Sequence, residues 1–219
     1  MKKIGIVGWS TDEKSFGVTK VYLQYLSTFG QVEIITPSNS IRNDIDLLIL
    51  PGGDDMSSSL YGEIPSFMNT DSDLFKEYFF VNNLKYYIEY KIPIFGICLG
   101  FQQLNVYFGG KLTQHLPDLS INYYSEPRNK LVHSIDIEIP SMSIKYTDEV
   151  NSLHHQGVLL KNLGDKLNCI AKLNSGENIL VEAFMHEELP IAGVQWHPEY
   201  IYDELSKKLI NYLLNYSKK

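Results

Sequence analysis

Cys98 stands in the run Ile92-Pro-Ile-Phe-Gly-Ile-Cys98-Leu-Gly-Phe-Gln102, with Gly96 and Gly100 two residues away on either side. An apolar stretch leads in and a helix-like pattern leads out, the G-x-nucleophile-x-G arrangement of a sharp strand-to-helix turn. Such a turn strains the backbone of its central residue, and side chains at the flanking positions would collide with it. It also aims the free N–H groups and positive end of the helix at the sulfur, which favours thiolate over thiol. A small buried cysteine at a tight turn is the alternative.

A cysteine nucleophile needs an imidazole, and the imidazole needs a third group to orient it. His197 follows an apolar run in Gly193-Val-Gln-Trp-His197-Pro-Glu199. Pro198 predicts an extended segment in which residues two apart share a side, so that Glu199 reaches His197. Acyl transfer also needs two N–H donors for the developing oxyanion. The backbone of Leu99 supplies one. Leu50-Pro51-Gly52-Gly53-Asp54-Asp55, an apolar run ending in two glycines, offers the other at Gly53, although an ordinary Gly-Gly turn reads the same way.

Of the other histidines, His154 and His155 lie in the polar segment Val150–Gln156 and are candidates for a site wall, while His115, His133 and His186 read as structural. No H-x-x-x-H or C-x-x-C spacing suggests zinc. No G-x-x-x-x-G-K-[ST] loop occurs, and Gly109-Gly110-Lys111 comes after a helix rather than before one.

The elements that must carry these groups alternate. Lys3–Val7, Val32–Ile35, Asp46–Leu50 and Ile92–Ile97 read as strands, the last three nearly uniformly apolar as in the middle of a parallel sheet. Between them, Thr19–Phe29 predicts a helix with Tyr22, Tyr25, Leu26 and Phe29 on one face. Residues Asp73–Tyr90 predict another, with a stripe of Leu74, Tyr78, Val81, Lys85 and Ile88 and a cap at Asp71 or Ser72. The second half looks antiparallel: Leu131–Ile139, Leu167–Leu173, Ile179–Phe184 and Ile191–Gln195, with a turn at Asn174-Ser175-Gly176. Leu205, Leu209, Tyr212, Leu213 and Tyr216 predict a final amphipathic helix. The expected class is α/β, a mostly parallel doubly wound sheet with helices on both faces and an antiparallel extension. Without repeats, low-complexity tracts or a linker, residues 1–219 read as a single domain.

The 219 residues are 44% hydrophobic and 21% charged, which excludes wholesale disorder. A formal charge of −7 argues against a nucleic acid polymer as partner. No run approaches the ~18 apolar residues of a membrane span, and Met1–Gly8 reads as a strand rather than a secretory signal. Two cysteines make no disulfide framework, so the expectation is a cytoplasmic protein.

Five motifs appear in order: Pro51-Gly52-Gly53-Asp54, Gly96-Ile-Cys98-Leu-Gly-Phe-Gln102, Gly109-Gly110-Lys-Leu-Thr-Gln114, Asn151-Ser-Leu-His-His-Gln156 and Gly193-Val-Gln-Trp-His-Pro-Glu199. Over roughly residues 3 to 200 the chain resembles a class I glutamine amidotransferase domain, which has a flavodoxin-like fold, and within that family its γ-glutamyl hydrolase branch. The resemblance implies Cys98 as nucleophile, His197 as general base and then acid, Glu199 as its orienter, and Gly53 and Leu99 as oxyanion donors. It also implies a glutamyl group held beside Gly52, by Gln102 and by the wall His154, His155 and Gln156, with a small-molecule γ-glutamyl substrate and neither metal nor organic cofactor. An intact Cys, His and Glu set argues against an inactive binding module. With no synthase domain in the chain, the alternative of a glutaminase component requires a separate synthase partner, and a stand-alone hydrolase is favoured.

The chain as a whole also resembles hydrolases of γ-glutamyl-CDP-amidate from capsular phosphoramidate pathways, which implies a nucleotide phosphoramidate as leaving group; polyamine and aminobutyrate conjugates are the alternatives. No motif spells cytidine or pyrophosphate. Of the two arginines, Arg42 and Arg128, the latter stands with Lys130 after the helix that follows Cys98, where a leaving-group pocket would form, although two solvated basic residues is the favoured reading. Leu99 departs from the arginine common at that position in the γ-glutamyl hydrolase branch, and Ser10–Gly17 stands where a substrate-side loop begins in it.

Overall fold

The computed structural model describes residues 1–12, 15–36, 41–69, 72–119 and 126–216. The elements run β1 (Lys3–Val7), β2 (Trp9–Asp12), β3 (Ser15–Gly17), α1 (Lys20–Leu26), β4 (Gln31–Ile35), β5 (Leu47–Leu50), α2 (Leu74–Asn82), α3 (Leu84–Glu89), β6 (Ile94–Ile97) and α4 (Leu99–Tyr107). After these come β7 (His133–Ile139), β8 (Ile144–Val150), β9 (Val158–Leu159), β10 (Leu167–Ser175), β11 (Asn178–His186), β12 (Ile191–Val194), α5 (Pro198–Ile201) and α6 (Glu204–Leu214).

The main sheet is ordered β4-β1-β5-β6-β12-β11-β10-β7-β8, with β9 beside β11. Its first five strands are parallel and the rest antiparallel, the expected doubly wound sheet with its extension. Alternate residues of β5 show the two covered faces. Leu47 and Ile49 pack with Tyr22 and Tyr25 of α1 and Leu209 of α6, whereas Leu48 and Leu50 pack with Phe101 of α4 and Tyr87 of α3.

Several expectations need correction. Val32–Ile35 lies in β4 at the sheet's edge, with Ile34 exposed, because β1 has β5 as its other neighbour. The helix foreseen over Asp73–Tyr90 is two helices that meet at Asn83. Its foreseen stripe faces outward over α2, where Leu74, Tyr78 and Val81 are exposed, and only Ile88 packs against the core; Lys76, Phe79, Leu84 and Tyr87 are buried. A period drawn through equally apolar faces puts the stripe on the wrong side. Asp73 caps α2 by accepting from the Phe75 and Lys76 N–H groups; Asp71 lies outside the described residues. Tyr212 is exposed on α6, with Ile210 buried instead. Strand β8 carries a half-buried alternation that no uniformly apolar run announces. The Ser10–Gly17 stretch is largely the β2–β3 hairpin, with residues 13 and 14 outside the description.

The turn between β6 and α4 is as tight as its glycines imply. Cys98 has φ 51° and ψ −102°, a conformation that costs on the order of 1–3 kcal/mol for a residue with a Cβ. A methyl on Gly96 would lie 2.6 Å from the Gly100 carbonyl carbon, and one on Gly100 would press into the Leu50 carbonyl oxygen. Gly100→Ala is therefore expected to cost about 3 kcal/mol, the upper end for overpacking. The denaturation midpoint checks it, and an unshifted midpoint would contradict this packing.

Candidate active site

Three adjacent parallel strands end side by side, and each delivers one part of the site at its carboxyl end. After β5 comes Pro51-Gly52-Gly53, after β6 comes Cys98, and after β12 come Gln195, Trp196 and His197. Ligands of open α/β sheets sit at such edges.

The imidazole of His197 is buried between two partners. Its Nδ1 lies 2.7 Å from Glu199 Oε1, and Cys98 lies close enough to act on its charge. A methyl on Gly52 would lie 2.7 Å from His197 Cε1 and 3.4 Å from Cys98 Cβ, so the two side chains face each other across that glycine. Burial alone would lower the imidazole pKa, but Cys98 and then Glu199 outweigh it and hold it well above 6.5. That balance favours the protonated imidazolium at neutral pH.

His197 and Glu199 meet by a different geometry from the foreseen one. Pro198 opens the short helix α5 instead of extending the chain, His197 stands at its N-cap, and Glu199 lies in its first turn. Proline tolerates that position because the N–H it lacks would have had no partner there. Asn151 fixes the histidine backbone from both sides: its Oδ1 accepts the His197 N–H at 2.9 Å and its Nδ2 donates to the His197 carbonyl at 3.1 Å. The buried Trp196 indole donates to Asp203, the cap of α6, at 2.9 Å.

Cys98, Gly53, Gln102, His154, His155 and Gln156 share one cavity of about 230 Å³ with Asp54, Asp55 and Leu153. A second cavity of about 350 Å³ lies across the Gly53 wall, lined by Gly52, His197 and Glu199 together with Trp9, Tyr22, Lys76, Arg128 and Tyr200. Cys98 thus opens on the first and His197 on the second. Gln102 Nε2 donates to the Gln156 carbonyl at 3.0 Å and to Gln195 Oε1 at 3.2 Å. Gln195 in turn donates toward Cys98 Sγ at 3.7 Å, so a chain of buried amides backs the sulfur. Gln156 Oε1 accepts the Met56 N–H at 3.2 Å, which ties the wall to the loop after β5. His155 Nε2 lies 2.8 Å from Asp55 Oδ2, with His115 behind it at 3.2 Å.

Leu99 is the first residue of α4, and its N–H, like all first-turn donors, has no intrahelical acceptor. Among the described residues no acceptor takes the Gly53 N–H, while that of Gly52 donates to the Tyr22 hydroxyl at 2.9 Å. Burial and then the charge of Glu199 raise the Tyr22 pKa well above 10, so the phenol stays protonated beside the carboxylate.

Every foreseen site residue lies in this region. Sequence reasoning missed Asn151 as a clamp, Gln195, and the aromatic residues and Lys76 that line the second cavity, because their side chains meet the site only once the fold brings them there. Arg42 is a surface base paired with Glu33 at 2.6 Å and Asp44 at 2.7 Å. Arg128, foreseen as solvated, does line the second cavity, where it donates to the Tyr200 hydroxyl at 3.1 Å. Gln114 is structural: it takes the Ser66 N–H at 2.7 Å and donates to the Ile64 carbonyl at 2.9 Å.

Burial lowers the His154 pKa to about 4, against the pull of Glu182, and its Nδ1 lies 2.8 Å from the Gln156 carbonyl oxygen. The ring is therefore neutral in the folded chain. On acidification from about pH 6.5 to 4 the unfolded chain gains a proton here that the folded chain refuses, so stability falls, by about 3 kcal/mol from this residue alone. Denaturation midpoints across that range should fall less steeply in His154→Asn. An unchanged slope would contradict the assignment.

Residues 9–199 match Peptidase C26, a span that holds the Cys98 turn, the strand-end glycines and the His197–Glu199 pair. The chain belongs to the Peptidase C26 family. Members of this family are cysteine-peptidase-like and glutamine amidotransferase-like hydrolases. The C26 chain is 35% identical over 239 residues to the glutamine amidotransferase-like protein YvdE of Lactococcus lactis, covering 98% of this chain and 99% of YvdE. It is 28% identical over 194 residues to a glutamine-hydrolyzing GMP synthase subunit of Archaeoglobus fulgidus, covering 86% of this chain and 84% of that protein. Its fold matches the crystal structure of a glutamine amidotransferase from Thermotoga maritima with a TM-score of 0.57 at 16% identity, over 97% of this chain and 87% of that one. The two chains share a fold. No helix among the described residues is long and apolar enough to cross a membrane.

Proposed function

We propose that the whole chain is one class I amidotransferase-type domain, a cysteine hydrolase that cleaves γ-glutamyl amides of small molecules without a synthase partner. The observation that carries the reading is the division of the site: Cys98 opens on one cavity, His197 on another, and Gly53 stands in the wall of both. An amide laid across that wall puts its acyl part beside the sulfur and its nitrogen beside the imidazole.

The Cys98 thiolate attacks the γ-carbonyl carbon, and the Gly53 and Leu99 N–H groups receive the oxyanion. His197 gives its proton to the departing nitrogen as the C–N bond breaks, leaving a glutamyl thioester. The same imidazole then takes a proton from water, which attacks the thioester, and glutamate leaves with the thiolate restored. Glu199 holds the ring and balances its charge throughout. Asp54 and Asp55 in the first cavity suit the α-ammonium of a glutamyl group, and Gln102, His154, His155 and Gln156 complete its wall.

For the leaving group, Trp9, Tyr200 and Arg128 favour an aromatic, anionic one, such as the nucleotide phosphoramidate of γ-glutamyl-CDP-amidate. Asp54 and Asp73 in the same cavity would favour a polyamine. A second reading, a glutaminase feeding ammonia to a separate synthase, draws on the likeness to the GMP synthase protein of Archaeoglobus fulgidus. The test is a side-by-side panel of free glutamine and the γ-glutamyl conjugates of a nucleotide phosphoramidate, a polyamine and aminobutyrate. Hydrolysis of a conjugate by the chain alone is the expected result. Glutamine hydrolysis that appears only with an added synthase would overturn it in favour of the second reading.

A further inference from the structure

Helix α2 buries a lysine against the strand-end glycines. Lys76 is only 6% exposed, and its Nζ donates to the Gly52 carbonyl at 2.8 Å. The ammonium also lies 4.5 Å from the centre of the Trp9 ring and 4.0 Å from Asp73 Oδ2. Asp73 accepts the Lys76 N–H at 3.1 Å as the helix cap, which fixes the turn that carries the lysine. Taking an ammonium out of water is unfavourable, and burial does pull this one's pKa down, against Asp73 and Asp54.

The carbonyl that Lys76 holds belongs to the peptide whose N–H is that of Gly53. In a trans peptide the C=O and N–H point in opposite directions, so the group that holds one aims the other. Flanked by two residues without Cβ, this peptide plane has little steric resistance to turning over. The preceding peptide is already tied, since the Gly52 N–H donates to Tyr22. Lys76 supplies the remaining tie.

We infer that Lys76 is a positioning residue of the oxyanion hole: by holding the Gly52 carbonyl, it fixes the Gly52–Gly53 peptide in the plane that turns the Gly53 N–H toward the carbonyl attacked by Cys98. The inference rests on the amidase reading above. Lys76 makes no hydrogen bond to the sulfur, and its charge reaches Cys98 only as the last of several influences on it, so its loss should weaken stabilisation of the tetrahedral intermediate far more than it slows reaction of the thiol.

The test compares the full-length protein with Lys76→Met, which keeps an apolar stem of similar length, and with Lys76→Ala in case the first variant misfolds. Three quantities are read: kcat and KM on a chromogenic γ-glutamyl anilide, the rate of Cys98 alkylation by iodoacetamide, which makes no use of an oxyanion hole, and the peptide's orientation in a crystal of the variant. The expected result is a kcat lower by about 10²-fold, with KM within about threefold and alkylation within about twofold of the wild type. The crystal should show the Gly52–Gly53 peptide turned over. A kcat above a third of the wild-type value, an alkylation rate that falls in step with kcat, or a peptide that keeps its orientation would each overturn the inference. Failure of the wild type on every γ-glutamyl amide would instead overturn the amidase reading, and the crystal would still decide the role of Lys76.

Discussion

Cys98→Ala is expected to lower turnover of a γ-glutamyl amide by on the order of 10⁴-fold or more while the protein stays folded. In the proposed mechanism the sulfur forms the bond that splits one difficult hydrolysis into two easier steps, and the amides beside it cannot replace it. Gln195, which donates toward the sulfur, and Gln102 behind it are amides without nucleophilic character. Cys169 cannot substitute, since it lies on β10 and burial pushes its pKa up to about 11. The alanine should also relieve nothing in the backbone, because the φ of 51° is set by Gly96, Gly100 and the strand above them. Thermal unfolding close to that of the wild type, together with lost turnover, is therefore the predicted pair of results. A variant retaining a tenth of the activity would end the assignment of the nucleophile.

His197→Asn is expected to have a comparable effect on turnover and a separate one on the reactivity of the thiol. In the wild type the imidazole is buried beside Cys98 and Glu199, and both raise its pKa, which puts a positive charge beside the sulfur. Alkylation of Cys98 should then be fast at neutral pH, as for other histidine-paired cysteines. Without the imidazole, alkylation should be slow at neutral pH and rise as pH increases. Asparagine at the N-cap of α5 leaves the main chain able to keep its two bonds to Asn151. If the variant were alkylated at the wild-type rate at neutral pH, His197 would not be the activator of Cys98.

Some parts of the site are legible in the sequence because the backbone demands them. The glycines at 96 and 100 are required by atoms close by in the same turn and on the neighbouring strand, so the turn announces itself in local spacing. The end of β5 announces itself the same way, by a uniformly buried strand running into two glycines. His197 and Glu199 are found through their spacing, although the proline between them starts a helix rather than preventing one. Asn151 reads along the chain only as part of a motif on the substrate side. Its role as the clamp of His197 depends on two segments 46 residues apart meeting, which no local pattern encodes. Lys76 is similarly hidden: along α2 it is one more charge on a helix, because neither Gly52 nor Trp9 is its neighbour in the chain. The misplaced stripe on α2 and α3 has the same origin, since both faces carry large apolar side chains and burial is decided by the sheet they dock on.

The most direct test of covalent catalysis at Cys98 is to quench the wild-type enzyme in acid within one turnover of a γ-glutamyl amide and to map the modified peptide by mass spectrometry. The prediction is a glutamyl group in thioester linkage on the peptide containing Cys98, formed before free glutamate and lost on longer incubation. Full release of glutamate with no adduct at any time, or an adduct on Cys169 instead, would contradict it.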